Sequence, residues 1–583
     1  MSEASAPIST NSTAPVPHLR RVLTLWDLIF YGIVLIQPIA PIPLFGVAQD
    51  LSRGHFVTII LIAMFAMMIT AFSYGRMATL YPAAGSAYTY VGRGLNPHLG
   101  FLAGWAMFLD YLLQPLINTV WIATALHARY IPQVSFVVWA ALIVGIVTFL
   151  NLGGIKASAR ANKVLLAIMC VVVAAFIYLA VRFLYGSAGW SGLLSTQPFY
   201  DPKNFDSHKI WMATSFAALT YIGFDGVTTL SEEVENPKRN VMLATVLVCV
   251  FTGVFGGLEV YLGQRVWPDW RTFPNLETAF MDVCRRVGGT MLFHAIGGVI
   301  ALAAFGSALT GGLGAARLLY GMGRDNVLPK RIFGYVSPKT HIPTYNVVFI
   351  SLLAFGGAVA LNHIGSAYEH AGELLNFGAF LAFMGVNITT YWRFTVHSRP
   401  TGIRRELAEA VVLAMGLAFF VVFWRDTRSW FAYHHWVEAM PGVLGVTIGV
   451  GLISARIAVA ALAAAFLVHL VIKKWRVAVT GMILFADLLL CTFVWLNLPL
   501  FGKVLALCFV AVVAAVLFIK YPRLAVDSFL PLFGFVFCGI IWWNLHPIAK
   551  IVGGIWFVLG IGYAVIKTRG FRQKPLMIDF KES

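Results

Sequence analysis

Apolar segments of about twenty residues recur along nearly the whole chain, and short loops between them hold most of its charge. One such segment crosses the hydrocarbon core of a bilayer as a single helix. The segments fall at about 25–48, 55–76, 98–127, 134–152, 162–185, 208–230, 239–263, 290–318, 343–362, 372–392, 407–424, 442–472, 477–497, 501–520, 528–544 and 550–566. The expected fold is therefore all-α and integral to the membrane, with about sixteen spans. Only 11% of the 583 residues are charged and 59% are hydrophobic, against about 25% charged in soluble domains. No large soluble domain fits into what remains.

Sixteen spans place both termini on one side. With the N-terminus inside, 28 Lys/Arg fall on the inner side or inner span ends and 13 on the outer side, and Arg456, far from the ends of its span, is assigned to neither. The positive-inside rule then predicts cytoplasmic termini in a cytoplasmic (inner) membrane. The net charge of +17 reports this topology, not affinity for nucleic acid. The six cysteines form no CxxC pair, the histidines are scattered and no phosphate loop follows a strand. No disulfide framework, metal site, cofactor or enzymatic centre is expected. Residues 1–21 are polar and Pro/Ser-rich without an apolar core, and read as a disordered cytoplasmic tail, not a cleaved signal. Residues 567–583 read as a second cytoplasmic tail.

Two spans are interrupted. The first, LWDLIFYGIVLIQPIAPIPLFGVA, carries Pro38, Pro41 and Pro43 in its middle, and each proline removes a backbone donor. The sixth, IWMATSFAALTYIGFDGVTTLSEEVENPKRN, places Gly223 and Gly226 around Asp225. Freed backbone groups are tolerated at membrane depth only where they line a cavity or meet protein. Two broken helices five spans apart point to an inverted-repeat transporter with a midplane site. The alternative at this point is a pair of kinks in a packed bundle.

The stretch SYGRMATLYPAAGSAYTYVGRGLNPHLGFLAGW, the sixth span and the loop AARLLYGMGRDNVLPKRIFGYV resemble the amino acid, polyamine and organocation permeases. The segments IQPIAPIPLFG, FLDYLLQPLIN, FDGVTTLSEE and LLNFGAF are similar to those of bacterial putrescine importers. The resemblance covers about 22–395 and 528–574. It implies a leucine-transporter-like five-plus-five inverted repeat over residues 22–395, with helices 1 and 6 discontinuous, and a final pair of spans at 528–566. Two positions depart from the family. Many relatives hold a substrate carboxylate on the backbone amides of a small-residue segment in the first span, where this chain has Ile36, Gln37, Pro38, Ile39, Ala40 and Pro41. Some relatives place a lysine in the fifth span, at or near Met169 here.

Ionisable groups within a bilayer are costly and usually face a pathway or a partner. Asp225 suits an ammonium group or a proton, with bracing of the helix break as its alternative role. Asp110, Gln114 and Asn118 recur at i, i+4 and i+8 beside Tyr111, one polar stripe that reads as a second amine anchor or as interhelical hydrogen bonding. Phe224 and Tyr221 are candidates to close over a bound cation or to pack as ordinary aromatics. Glu232 and Glu233 are expected to pair with Arg76 or Arg317 as a gate latch. Glu259, near the outer end of the seventh span, is expected to snorkel or to pair with Arg265. Ser307 and Thr310 stand where sodium-coupled relatives place hydroxyl ligands, or are small packing residues.

Between the tenth span and the final pair lies an extra block at about 406–525, expected to add four spans. Its intramembrane charges, Arg456 and Asp487, are expected to form an ion pair. The leading expectation is a secondary transporter importing a small putrescine-like amine, driven by protons or exchange, with sodium left open. The second is an amino acid permease or exchanger, and the third a non-transporting sensor or scaffold. The expected partners are a small-molecule substrate and the lipid bilayer.

Overall fold

The computed structural model describes residues 22–397 apart from 84, 128–130, 154, 277, 339 and 365–370, scattered positions between 406 and 417, residues 475–497, and 525–572 apart from 546 and 571. The described residues are mostly helical, and among them a single parallel backbone bridge joins Leu23 to Val234.

The helices are α1 (Leu25–Ile36), α2 (Pro41–Leu51), α3 (Phe56–Leu80), α4 (Ser86–Gly94), α5 (Pro97–Ala125), α6 (Phe136–Leu152), α7 (Ile155–Leu193), α8 (Ser207–Ala217), α9 (Pro237–Val266), α10 (Ala279–Arg324), α11 (Lys330–Phe333), α12 (Thr344–Ile364), α13 (Ala371–Tyr391), α14 (Trp475–Asn497), α15 (Leu530–Trp543) and α16 (Pro547–Lys567). Among the described residues nine helices are long and apolar enough to cross a membrane, or ten if α1 and α2, bent by 49°, form one span. The chain is a multi-pass membrane protein. Of the expected spans, 442–472 and 501–520 lie outside the described residues, as do the tail 1–21 and Arg456.

Helix ends follow local sequence rules. Thr24 caps α1 through a reciprocal bond with Asp27, and Asn96 caps α5 with Pro97 in its first turn, satisfying donors that a helix start leaves free. Two long helices hold breaks that hydropathy alone does not register. Gly289, at φ 67°, divides α10 into an arm and a span, and Ala188 and Gly189 break α7.

The described residues up to Asn387 together with those from Gly534 form one compact unit, and the described residues between Ile388 and Phe533 form another. Within the first unit, α5 and α10 are central, α10 packing on α5, α7 and α12. Exposed Phe149, Val171 and Leu352 on α6, α7 and α12 give outer helices an apolar surface suited to lipid. Within the second unit, Thr395 donates its hydroxyl to the Asp527 carbonyl at 2.8 Å, and Asp487 is exposed on α14.

Candidate substrate site and its closing contacts

The first span breaks where its prolines require it. Helix α1 ends at Ile36, Gln37 takes φ 75°, and Pro41 begins α2, a position where a missing N–H costs nothing. The break frees the Leu35 carbonyl, which accepts from the Ser307 hydroxyl at 3.0 Å and the Gln114 amide at 3.4 Å. Gln114 also donates to the Ser307 oxygen at 3.2 Å. Thr310 turns its hydroxyl onto its own helix at Gly306, 2.8 Å away, while its carbonyl accepts from Tyr31 at 2.8 Å.

The sixth span breaks differently. Helix α8 tightens through Ala218–Tyr221, Gly223 adopts φ 115°, and a second tight helix runs over Phe224–Leu230. That left-handed backbone favours glycine. The two breaks meet, since a Cβ on Gly223 would lie 3.0 Å from the Leu35 side chain and 3.6 Å from the Ile36 nitrogen.

Asp225 is 0% exposed at this crossing. Tyr111 donates to its Oδ2 at 2.5 Å, and Oδ1 has no partner among the described residues. Asp110 is also fully buried, with neither carboxylate oxygen partnered among them. Phe224 packs against Tyr74 and Phe383, with ring centres 5.7 and 4.9 Å away. The Tyr221 hydroxyl donates to the Ile60 carbonyl on α3 at 2.9 Å.

Beside the crossing lies a cavity of about 120 Å³, lined by Ile36, Gln37, Gln114, Asn118, Trp121 and Ser307 among others. The Gln37 amide donates to Asn118 at 3.2 Å. Pro38 is buried within the break. Gln114 joins the cavity to the carboxylate layer, because it lies one turn from Asp110 and on the same helix face.

One end of the core is latched by charge. Glu233 pairs with Arg317, both nearly fully buried. Arg324 meets Glu232 at 2.8 Å and Asp325 at 3.7 Å, and Tyr88 donates to Asp325 at 2.8 Å. The segment preceding α1 is tied to the same place, Val22 and Leu23 donating to the Glu233 carbonyl at 2.9 and 3.0 Å. The Arg76 guanidinium lies over the Phe72 ring. Sequence reasoning missed Arg324, although its seven-residue spacing from Arg317 places both on one helix face. It also missed the role of Tyr111, which the Asp110 stripe leaves on another face.

The expected pairing of Glu259 with Arg265 is corrected by the structure. Arg265 instead donates to the carbonyls of Ser191 and Gly192 at 2.8–3.0 Å, where the break in α7 presents them. Glu259 is 0% exposed and its carboxylate is unpartnered among the described residues.

Residues 28–424 match the model of the family described as amino acid permease. Over 402 residues the chain is 32% identical to the low-affinity putrescine importer PlaP of Escherichia coli (strain K12), covering 68% of this chain and 86% of that one. It is 28% identical to the vacuolar cationic amino acid transporter 4 of Arabidopsis thaliana, over 64% of this chain and 63% of the relative. It is 24% identical to the branched-chain amino acid permease BcaP of Lactococcus lactis, over 64% and 82%. With its apolar helices and these matches, the chain belongs to the amino acid permease family of membrane transporters, which are not enzymes.

Proposed function

We propose that this chain is a secondary transporter importing a small organic amine of the putrescine class across a cytoplasmic membrane by alternating access. Asp225 is its principal ammonium ligand, Asp110 a second anchor, and the first-span break the facing wall. One observation carries this reading. Three carboxylate oxygens, Oδ1 of Asp225 and both of Asp110, have no partner among the described residues, a set of pure acceptors that suits a cation. The facing backbone includes Pro38 and Pro41, which lack the amide donors that would hold a substrate carboxylate.

Proton coupling follows from the same chemistry, since one carboxylate cannot carry a proton and hold an ammonium group at once. In this reading residues 22–395 form the five-plus-five inverted repeat, residues 406–525 add about four spans to reach sixteen, and both termini are cytoplasmic. The Glu232 and Glu233 latch is then the inner gate, and the cavity at Gln37 faces outward.

A second reading, an amino acid permease or exchanger, draws support from the Gln37 and Asn118 amides at the cavity and from the relatives that carry amino acids in their names. Uptake of labelled putrescine into proteoliposomes of the pure protein, with and without a pH gradient and against competing amines and amino acids, separates the two. Gradient-dependent uptake blocked only by amines is expected, with at least a tenfold loss in a folded Asp225→Asn protein. Displacement chiefly by an amino acid favours the permease reading, full activity of Asp225→Asn removes its proposed role, and binding without flux marks a sensor.

A further inference from the structure

Glu259 sits where two segments, each set off by a helix break, cover it. Three residues before it, a Cβ on Gly256 would lie 2.7 Å from Pro41 Cγ, and four residues after it, one on Gly263 would lie 3.1 Å from Phe45 and 3.0 Å from Phe280. Residues three and four apart share a helix face, so Glu259 lies on the face of α9 that meets α2, the second half of the broken first span. The same face meets the arm of α10 that precedes the break at Gly289. Helix α7 closes the third side, with Phe176 against Phe280 at 4.8 Å.

The charges on these elements meet other groups or are exposed. On α7, Lys163 pairs with Asp27 at 2.7 Å and Arg182 is exposed; on α2, Asp50 is exposed. On α10, Asp282 accepts from Thr278 at 3.2 Å, Arg285 lies over Phe293 and Arg286 over Trp267, and Arg317 and Arg324 belong to the latch. Arg76 of α3 lies over Phe72, and Lys238 and Arg239 begin α9 at its other end. The Glu259 carboxylate lies within electrostatic reach of the thiols of Cys170 on α7 and Cys284 on the arm. Among the described residues no group of three His, Cys, Asp or Glu could hold a metal ion, and Glu259 does not line the cavity at Gln37. An ionised carboxylate with neither hydrogen bond nor counter-ion is heavily penalised in such surroundings, and a bound proton removes the charge.

We propose that Glu259 is a proton-binding site of the transport cycle, separate from the amine site, which holds its proton while α2 and the arm cover it and releases it to water when they part. The inference rests on the proton-coupled reading above. It predicts that protonation at one carboxylate and opening of α2 are linked.

Hydrogen exchange of residues 41–51 and 279–288 in the purified full chain, followed from pH 5 to 8 and corrected for intrinsic exchange, tests this without any substrate. In the wild type, exchange of both segments is expected to rise through one midpoint as pH increases. Glu259→Gln is expected to remove that rise and keep both segments protected, with exchange elsewhere unchanged, and Glu259→Asp to restore a rise at a shifted midpoint. In proteoliposomes, Glu259→Gln is expected to lose pH-gradient-driven putrescine accumulation at least tenfold while equal-pH counterflow stays within twofold. A flat wild-type profile, a wild-type profile in Glu259→Gln, or loss of counterflow with accumulation overturns the proposal. Wild-type protein that carries no putrescine would instead count against the amine reading, and the exchange profile would still decide the role of Glu259.

Discussion

The two ends of the core are closed by different chemistry. At the Glu232 end, two arginines, three carboxylates and a tyrosine hydroxyl interlock with little exposure. At the α2 end, the closing contacts include Phe45 against Phe56, Phe273 and Phe280, with ring centres 5.2–6.2 Å apart, Pro41 against Gly256, and neutral bonds that join Gln49 to Gln264 at 3.0 Å and Gln264 to the Gly54 carbonyl at 2.5 Å; the Arg53–Asp206 pair just beyond α2 is part-exposed. A buried ion pair is close to all-or-none, because removing one partner strands the other. Apolar contacts are graded, each carrying a small share. Loss of one partner at the charged end is therefore expected to act all-or-none, and loss of one contact at the α2 end to act by degrees.

Arg317→Ala should break that contrast most strongly. It leaves Glu233 buried and uncompensated, a loss of about 3–5 kcal/mol. Thermal unfolding and protease sensitivity of the purified protein report it, and Arg317→Met combined with Glu233→Gln is expected to recover most of the stability. A single variant that melts like the wild type would show that the pair does not hold this end shut.

The two ends were not equally legible in the sequence. Paired glutamates after a broken span, with an arginine on a facing helix, pointed to the Glu233–Arg317 ion pair, because charges in a bilayer have few places to go. The prolines of the first span and the glycines around Asp225 announced both breaks, since each acts on its own backbone. The α2 end gave no such signal. Spacing suggested that Arg265 would serve Glu259, six residues earlier, but six residues put the pair on different helix faces. The α7 carbonyls that Arg265 meets come from a distant segment whose break hydropathy does not register. The bond from Tyr111 to Asp225 was missed for a related reason: its partner lies 114 residues away, and a stripe on one face says nothing about what the side chain next to it meets.

A methyl group at Gly256 sharpens the contrast from the other side. Placed 2.7 Å from Pro41 Cγ, it is closer than ordinary contact allows, so α2 must shift. The expected cost is about 1–3 kcal/mol, and it falls on the α2 end alone. Hydrogen exchange in residues 41–51 should increase in Gly256→Ala while residues 313–324 keep their protection. Equal loosening of both segments would show that the two ends are one cooperative unit.

The smallest effect expected is that of Tyr88→Phe. The hydroxyl donates to Asp325 Oδ2 at 2.8 Å, but Arg324 lies 3.7 Å from the other oxygen, so the aspartate keeps a cation when the hydroxyl is lost. The cost is then that of one hydrogen bond, about 0.5–1.5 kcal/mol, well below that of Arg317→Ala. A double-mutant cycle with Asp325→Asn, read by thermal unfolding, measures the coupling directly. A coupling as large as the Arg317–Glu233 term would mean that the tyrosine holds Asp325 in place for Arg324. The latch would then be a single network with Tyr88 as a member, and its expected all-or-none response would no longer rest on ion pairs alone.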